Sequence, residues 1–238
     1  MTKLFLSLLS LLAFFSVTAQ AQSSNPEVEA KAYYTDEDGD HEADNIEDGE
    51  APLTVQFKAI PTDMGTWTPS YEWHFQKLTG DGRSESLVRY EQETTYTFSE
   101  SGSYTVTLKT YLRDGEFTAE LDEKTIPVSI SDSELEFPNA FSPNNGDQLN
   151  NVYKAKKHKS IVSFRAIILN RWGQKLYEWT DPDGGWDGTF HGRDVKQGVY
   201  FVMVNAKGAD GKEYKIRKDV NLLRGFTEKG NSTTTTNE

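Results

Sequence analysis

The 238-residue sequence contains no cysteine. That absence excludes disulfides, zinc–thiolate sites, thiol nucleophiles and lipid anchors attached through cysteine. Histidine is nearly as scarce. His41, His74, His158 and His191 are the only four, and none sits in an H-E-x-x-H arrangement. A G-x-S-x-G nucleophile elbow is also missing. Carboxylates are plentiful enough for a glycosidase pair, but small β-sandwiches offer no evident deep cleft for one, so the expectation is a protein that is not an enzyme. Basic residues are in deficit, 25 against 37 acidic ones, for a formal charge of −12. Such a surface repels phosphate backbones, and nucleic-acid binding is not expected. Beyond the first twenty or so residues, no segment is apolar enough to cross a bilayer and no ten-residue stretch has helical period.

What is present begins with Lys3 and an apolar run from Leu4 to Val17, broken only by Ser7, Ser10 and Ser16. As a helix, that run spans about 21 Å, short of a bilayer core of about 30 Å, which argues against the competing reading of a membrane anchor. Ala19-Gln20-Ala21 supplies a small-x-small cleavage pattern. Residues 1–21 are therefore expected to be a signal peptide, cut after Ala21, with no transmembrane anchor in the mature chain.

The remainder has 12% aromatic residues and recurrent turn formers, 18 Gly and 8 Pro, which fits an all-β protein. Charge divides it. Residues 22–132 hold 24 acidic and 8 basic side chains, a balance of −16, whereas residues 133–238 hold 13 acidic and 16 basic, a balance of +3. Two modules are expected, 22–132 and 133–224, meeting at Ile130-Ser131-Asp132-Ser133. In the first, Leu53, Val55, Phe57 and Ala59 alternate with Thr54, Gln56 and Lys58. Tyr71-Trp73-Phe75, Tyr104-Val106-Leu108 and Ile126-Val128-Ile130 repeat the period-2 pattern, and Asp114-Gly115 reads as a hairpin turn. In the second, Ser163–Leu169 and Gly198–Ala206 are strand-like, with turn chemistry at Asn170–Gly173 and Ala209–Lys212. The expected fold is two Ig-like antiparallel β-sandwiches in tandem.

The segments Ala51-Pro52-Leu53-Thr54-Val55-Gln56-Phe57, Tyr71-Glu72-Trp73-His74-Phe75, Tyr96-Thr97-Phe98 and Gly102-Ser103-Tyr104-Thr105-Val106-Thr107-Leu108 resemble, in order and spacing, the polycystic-kidney-disease-type (PKD) domain. His74 stands where that family has Asp, and Gly80-Asp81-Gly82 comes several residues late, which implies a longer loop after the Trp73 strand. The resemblance implies an extracellular spacer or binding module.

A second resemblance covers about ninety residues. Phe137-Pro138-Asn139-Ala140-Phe141-Ser142-Pro143-Asn144 opens it. Asn170-Arg171-Trp172-Gly173-Gln174-Lys175-Leu176-Tyr177, Gly185-Trp186-Asp187-Gly188-Thr189-Phe190-His191-Gly192 and Gly198-Val199-Tyr200-Phe201 follow, and Val220-Asn221-Leu222-Leu223-Arg224 closes it. These motifs resemble the gliding-motility-associated C-terminal domain of Bacteroidetes, the type B sorting domain of the type IX secretion system. The family's P-N-G-D-G-x-N-D loop has here become Pro143-Asn144-Asn145-Gly146-Asp147-Gln148-Leu149-Asn150-Asn151, one residue longer and with its last carboxylate an amide. Any cation held by that loop would have fewer charged ligands here. Residues 225–238 extend beyond the match as a polar tail, expected to be disordered.

Among candidate sites, Asp36, Asp38, Asp40 and Asp44 form the acidic run most like a calcium loop, carboxylates at alternate positions around Gly39. Its register is wrong for an EF-hand, and nine acidic groups over residues 36–50 read first as a solvated loop. No cofactor is expected, a calcium ion at this run being the one candidate. Asp181, Asp183 and Asp187 form a lesser candidate. The basic stretch Lys154, Lys156, Lys157, His158 and Lys159 reads as a solvent-facing loop before the next strand, or as a contact for an anionic polysaccharide, an acidic partner or the acidic first module. Trp67 and Tyr90 are candidate sugar-stacking aromatics, with core packing the default; Trp172, Trp179 and Trp186 read as core or turn-packing aromatics.

The resemblance to the sorting domain implies export to the cell surface or medium through the periplasm. It also implies a partner in the type IX machinery at the outer membrane. The candidate recognition residues are the turns Asn170, Arg171, Trp172, Gly173 and Gly185, Trp186, Asp187, Gly188. The first module is expected to be non-catalytic and adhesive, contacting a surface glycan or an envelope protein. The alternative is a structural accessory of the envelope or of the secretion and gliding machinery.

Overall fold

The structure, a computed structural model, describes residues 25–80, 86–143 and 150–224. The expected signal peptide, the polar tail 225–238, most of the 143–151 loop and Asp81-Gly82 lie outside these residues. Among the described residues there is no helix.

The first half comprises β1 (Glu27–Asp36), β2 (Gly39–Ala43), β3 (Ile46–Gly49), β4 (Leu53–Thr62) and β5 (Thr68–Lys77). It continues with β6 (Ser86–Arg89), β7 (Glu93–Phe98), β8 (Gly102–Asp114), β9 (Phe117–Glu120) and β10 (Lys124–Ile130). One sheet has the order β2-β1-β4-β7 and the other β3-β10-β8-β5-β6, with β9 paired to β8 across the Gly115 hairpin. The period-2 residues face inward as their spacing requires. Val55, Phe57, Trp73, Phe98 and Val106 are fully buried between the sheets. Phe57 meets Phe75 edge-on at 5.4 Å, and the Trp73 indole nitrogen donates to the Glu91 carbonyl at 3.1 Å. The expected longer loop after the Trp73 strand falls between β5 and β6, where residues 81–85 lie outside those described.

One expectation is corrected. The first part of the acidic run is a β-hairpin rather than a loop, β1 and β2 pairing from Ala32↔Ala43 to Asp36↔Gly39, while its carboxylates are solvent-exposed as expected. Two of these carboxylates are paired with neighbours, Asp44 with Lys31 at 2.8 Å and Asp36 with the His41 ring at 2.7 Å. Stacking of Tyr34 on His41 at 4.7 Å adds apolar contact that the acidic composition conceals.

The second half begins with β11 (Glu134–Glu136), β12 (Ala140–Phe141), β13 (Tyr153–Lys154), β14 (Lys157–Lys159), β15 (Ile161–Leu169) and β16 (Lys175–Trp179). Then come β17 (Gly185–Trp186), β18 (Thr189–Phe190), β19 (Arg193–Asp194), β20 (Gly198–Gly208) and β21 (Glu213–Leu222). One five-stranded sheet, β12-β21-β20-β15-β16, carries this half. The opposing layer consists of short pairs, β11 with β14 and β13 with β17, rather than a full second sheet. Phe137, Phe141, Tyr153, Trp179 and Trp186 fill the space between the layers. Aromatics therefore supply most of the bulk that a longer second sheet would provide.

Both halves fasten their longest strand in the same way. Gly102-Ser103-Tyr104 opens β8, and the Tyr104 hydroxyl donates to the Glu100 carbonyl at 2.9 Å. Gly198-Val199-Tyr200 opens β20, and the Tyr200 hydroxyl donates to the Lys196 carbonyl at 2.6 Å. A tyrosine hydroxyl bonded back to backbone a few residues upstream is a corner device of Ig-like sandwiches.

No strand of 27–130 pairs with one of 134–222 among the described residues. The contact between the halves runs through Ser160 and Ala209 instead. The Ala51 amide donates to the Ser160 hydroxyl at 3.2 Å, and the Ala209 amide to the Ser160 carbonyl at 2.9 Å. The Ser101 amide reaches the Ala209 carbonyl at 3.1 Å, and Ala209 packs with the core of the first half.

Candidate functional site

The five-stranded sheet has two ends with different surroundings. At one, the Gly208–Lys212 turn and Ser160 meet the first half. At the other, β15 leaves Leu169 into the Asn170–Gly173 turn, and β20 begins beside it, because Leu169 pairs with Phe201. Eleven residues of β20 separate the ends, about 33 Å at ~3.3 Å per residue.

The distal turn is built around one side chain. The Asn170 Oδ1 accepts from the Trp172 and Gln174 amides, both at 3.0 Å, while its Nδ2 donates to the Gln174 Oε1 at 3.0 Å. The Gly173 amide closes onto the Asn170 carbonyl at 2.9 Å, with Gly173 at φ +80°. An Asn that bonds its own backbone two residues on fixes a turn locally. The result is a stiff tip that displays Trp172, 75% exposed, with the Arg171 guanidinium 4.0 Å from the centre of its ring. A Trp this exposed satisfies no folding requirement of its own chain, so it is not the turn-packing aromatic expected from sequence.

Further exposed apolar groups share this end: Val199, Phe201 and Leu223, with Leu169 half-buried between them and the turn. Arg193 and Lys196 are exposed in the adjacent β18–β20 segment. Lower on the same sheet, Glu178 accepts from Arg165 at 2.7 Å and from Lys175 at 2.6 Å. These two hydrogen bonds lower its carboxyl to about 2.

The second expected recognition turn lies elsewhere in the packing. Trp186 is fully buried, its ring 5.1 Å from Tyr200 and 5.4 Å from Phe141, and its indole nitrogen donates to the Thr189 carbonyl at 2.7 Å. Its ring cannot meet a partner, which corrects the expectation that Gly185–Gly188 presents a surface like Asn170–Gly173. Gly185 is there because a Cβ would fall 2.6 Å from Val152 and 2.7 Å from the Tyr153 carbonyl oxygen. Asp187 accepts from the Thr189 amide and hydroxyl at 2.9 and 2.8 Å. Arg224 closes the site by donating to the Gly188 and Val195 carbonyls at 3.0 and 3.1 Å and pairing with Asp194 at 3.2 Å. Sequence reasoning did not single out Arg224 as a brace; its place at the end of the matched motif was the available signal.

The remaining candidates are not brought together. Asp40 accepts from Thr35 at 2.7 Å, the Asp38 amide donates to Asp36 at 2.9 Å, and Asp44 lies with Lys31. Asp183 pairs with His158 at 3.0 Å while Asp181 caps its own turn. Among the described residues, no group of three or more His, Asp or Glu is placed to hold a metal ion. Lys156 and Lys157 face Glu136 and Glu134 at 3.5 and 3.6 Å. The basic stretch thus lies largely in strands: Lys156 and Lys157 face carboxylates of their own half, while Lys159 and His158 also meet Glu50 of the acidic first module. Trp67 is half-buried and Tyr90 exposed, at separate places in the first half. No helix of the described residues is long and apolar enough to cross a membrane.

Residues 135–218 match the CHU_C Type IX secretion signal domain, as the motifs between Phe137 and Arg224 implied. No curated protein matches the chain. Among solved structures, the chain is similar to a tetra-tandem repeat from the extending region of a large adhesion protein. Identity is 12%, covering 83% of this chain and 67% of that one, with a TM-score of 0.25. It is also similar to BcpA, the major pilin subunit of Bacillus cereus, at 10% identity over 84% of this chain and 69% of that one, TM-score 0.28. A third is dimeric latent PorU from Porphyromonas gingivalis, at 12% identity over 84% of this chain and 20% of that one, TM-score 0.27.

Proposed function

We propose that this protein is cargo of a type IX secretion system, in which residues 133–224 are a folded export signal and residues 22–132 are a non-catalytic adhesive module delivered to the cell surface or medium. The observation that carries the reading is the match over residues 135–218. On this reading the machinery engages the distal end of the five-stranded sheet through Asn170–Gly173. Trp172 and Arg171 are of the residue types that dominate binding energy at protein interfaces, and here a rigid turn holds them before any partner arrives. The Gly185–Gly188 turn acts indirectly, as the brace that keeps Tyr200, β20 and hence the distal end in place. Engagement at the distal end leaves the cargo about 33 Å away at the other end of β20, free of the contact.

The alternative, a structural accessory of the envelope or of the secretion and gliding machinery, differs in predicting stable co-purification with outer-membrane components. The test is sufficiency. Residues 1–21 followed by a periplasmic reporter and residues 133–224 are expressed in a host with an active type IX system. Reporter in the medium or on the surface is the expected result. Reporter retained in the periplasm, with the fused domain folded, overturns the proposal.

A further inference from the structure

We infer that the distal half of the outer face of the five-stranded sheet is the docking surface for a protein partner whose contact face is apolar and bordered by carboxylates. This rests on the export reading, extends its contact from the Asn170–Gly173 turn onto a sheet face, and gives the partner a chemistry.

The strands of this sheet alternate as a sandwich requires, with Ala166, Ile168, Tyr200, Val202 and Val204 in the core. The positions between them should then be polar, as Thr54, Gln56 and Lys58 are on β4 and Thr105, Thr107 and Lys109 on β8. In the distal half of β15 and β20 they are not. Ile167, Leu169 and Met203 point outward half-buried, and Val199 and Phe201 are 49% and 42% exposed. Register makes them one patch, because Leu169 pairs with Phe201 and Ile167 with Met203. The change of character is abrupt. Two residues nearer the first half, Arg165 pairs with Asn205 and Asn205 with Lys215, and Ser163 opposite Lys207 continues polar. Contiguous apolar groups rimmed by polar ones mark an interaction site.

Charge selects the occupant. Glu178 is held by Arg165 and Lys175, and Asp194 by Arg224. Arg171, Arg193 and Lys196 at the distal end, and Arg217 opposite Met203, are exposed and have no ion pair among the described residues; Asp219 is the carboxylate nearest Arg217 along β21. A second copy docked face to face would set these cations against their own counterparts, which costs free energy. The first half of a second copy has carboxylates but presents Thr and Gln on its sheet faces, so it lacks an apolar centre. A partner with carboxylates around an apolar centre pairs the cations as it buries the patch.

The test is export of the full chain in a host with an active type IX system, read as the fraction outside the cell. Ile167→Lys combined with Met203→Lys should lower that fraction about tenfold, with protein accumulating in the periplasm. Thr54→Lys combined with Thr107→Lys adds the same charge to outer faces of the first half and should leave export as in wild type. Arg217→Glu should lower export about fivefold, and Arg217→Lys by less than about twofold. Circular dichroism and urea denaturation of the purified chains should show wild-type folding and midpoints. Normal export of the Ile167→Lys, Met203→Lys chain, or equal loss in both double variants, overturns the inference and leaves the export reading standing. Wild type held in the periplasm overturns both. Normal export of Arg217→Glu removes the acidic border and overturns the stated chemistry. Three results would assign the face to another occupant and overturn the inference. A sedimenting dimer dissolved by the double change assigns it to a second copy. Binding to phosphatidylglycerol vesicles abolished by that change assigns it to lipid. A midpoint lowered equally by that change and by ending the chain at Arg224 assigns it to residues 225–238.

Discussion

Trp172 and Trp186 stand in similar local sequence, Arg-Trp-Gly and Gly-Trp-Asp, and replacing each by alanine separates recognition from folding. Trp186 is fully buried, and removing a side chain of about 200 Å² forfeits ~5 kcal/mol at ~25 cal/mol/Å². Buried Trp→Ala changes of this kind cost about 3–5 kcal/mol, a large part of a typical domain stability of about 5–15 kcal/mol. The lost bond to the Thr189 carbonyl and the gap beside Tyr200 and Phe141 place the cost at the upper end. Trp172→Ala removes an exposed ring and one stacked Arg171, so unfolding free energy should change by no more than about 0.5–1 kcal/mol. If the ring is an interface anchor worth about 2 kcal/mol, engagement weakens about thirtyfold. The assay pairs urea denaturation with the fraction of protein outside the cell. Both variants should lose export, Trp186→Ala with a shifted unfolding midpoint and Trp172→Ala without one. Normal export of a stably folded Trp172→Ala would refute the distal-end reasoning.

Gly185→Ala should destabilise the chain by about 1–3 kcal/mol in the same denaturation assay, because its methyl enters space held by Val152 and the Tyr153 carbonyl. Tyr200→Phe should cost about 1 kcal/mol by removing the bond to the Lys196 carbonyl, and export should survive if the domain stays folded. Glu178, held at about 2 by Arg165 and Lys175, contributes stability that is complete above the usual carboxylate range near 4.5 and is lost as pH falls through about 2. Its titration, followed by NMR, should move up toward 4.5 in Arg165→Gln. Limited proteolysis of the folded chain should spare the junction. The Ser131 amide is bonded to the Gly49 carbonyl at 2.9 Å, Asp132 to Ser101 at 2.7 Å, and Ser133 to Asp210 at 2.7 Å, leaving no extended segment for a protease cleft.

The strands that alternate large apolar with polar residues were readable directly, because Leu53–Ala59, Tyr71–Phe75 and Tyr104–Leu108 bury one face as period 2 dictates. β1 was harder to read. Its buried face is Val28, Ala30 and Ala32, small side chains between charged ones, so the pattern exists at low amplitude. β2 was hidden by composition, since a run of Asp and Glu looks like solvent-facing loop until Lys31, His41 and Thr35 are seen to hold it. The contrasting burial of Trp172 and Trp186 was not legible at all. It depends on which loop the five-stranded sheet covers, a property of pairing between residues far apart in sequence. That Gln56, Thr95 and Tyr33 are neighbours was invisible for the same reason, because only the β1-β4-β7 register brings them together.

The central claim is that residues 133–224 direct export. Protease shaving of intact cells expressing the full chain or the chain lacking 133–224, with the intact mass of the released product, tests it most directly. The account predicts full-length protein outside the cell and the truncated chain held in the periplasm. Both forms held inside, or both found outside, would contradict it.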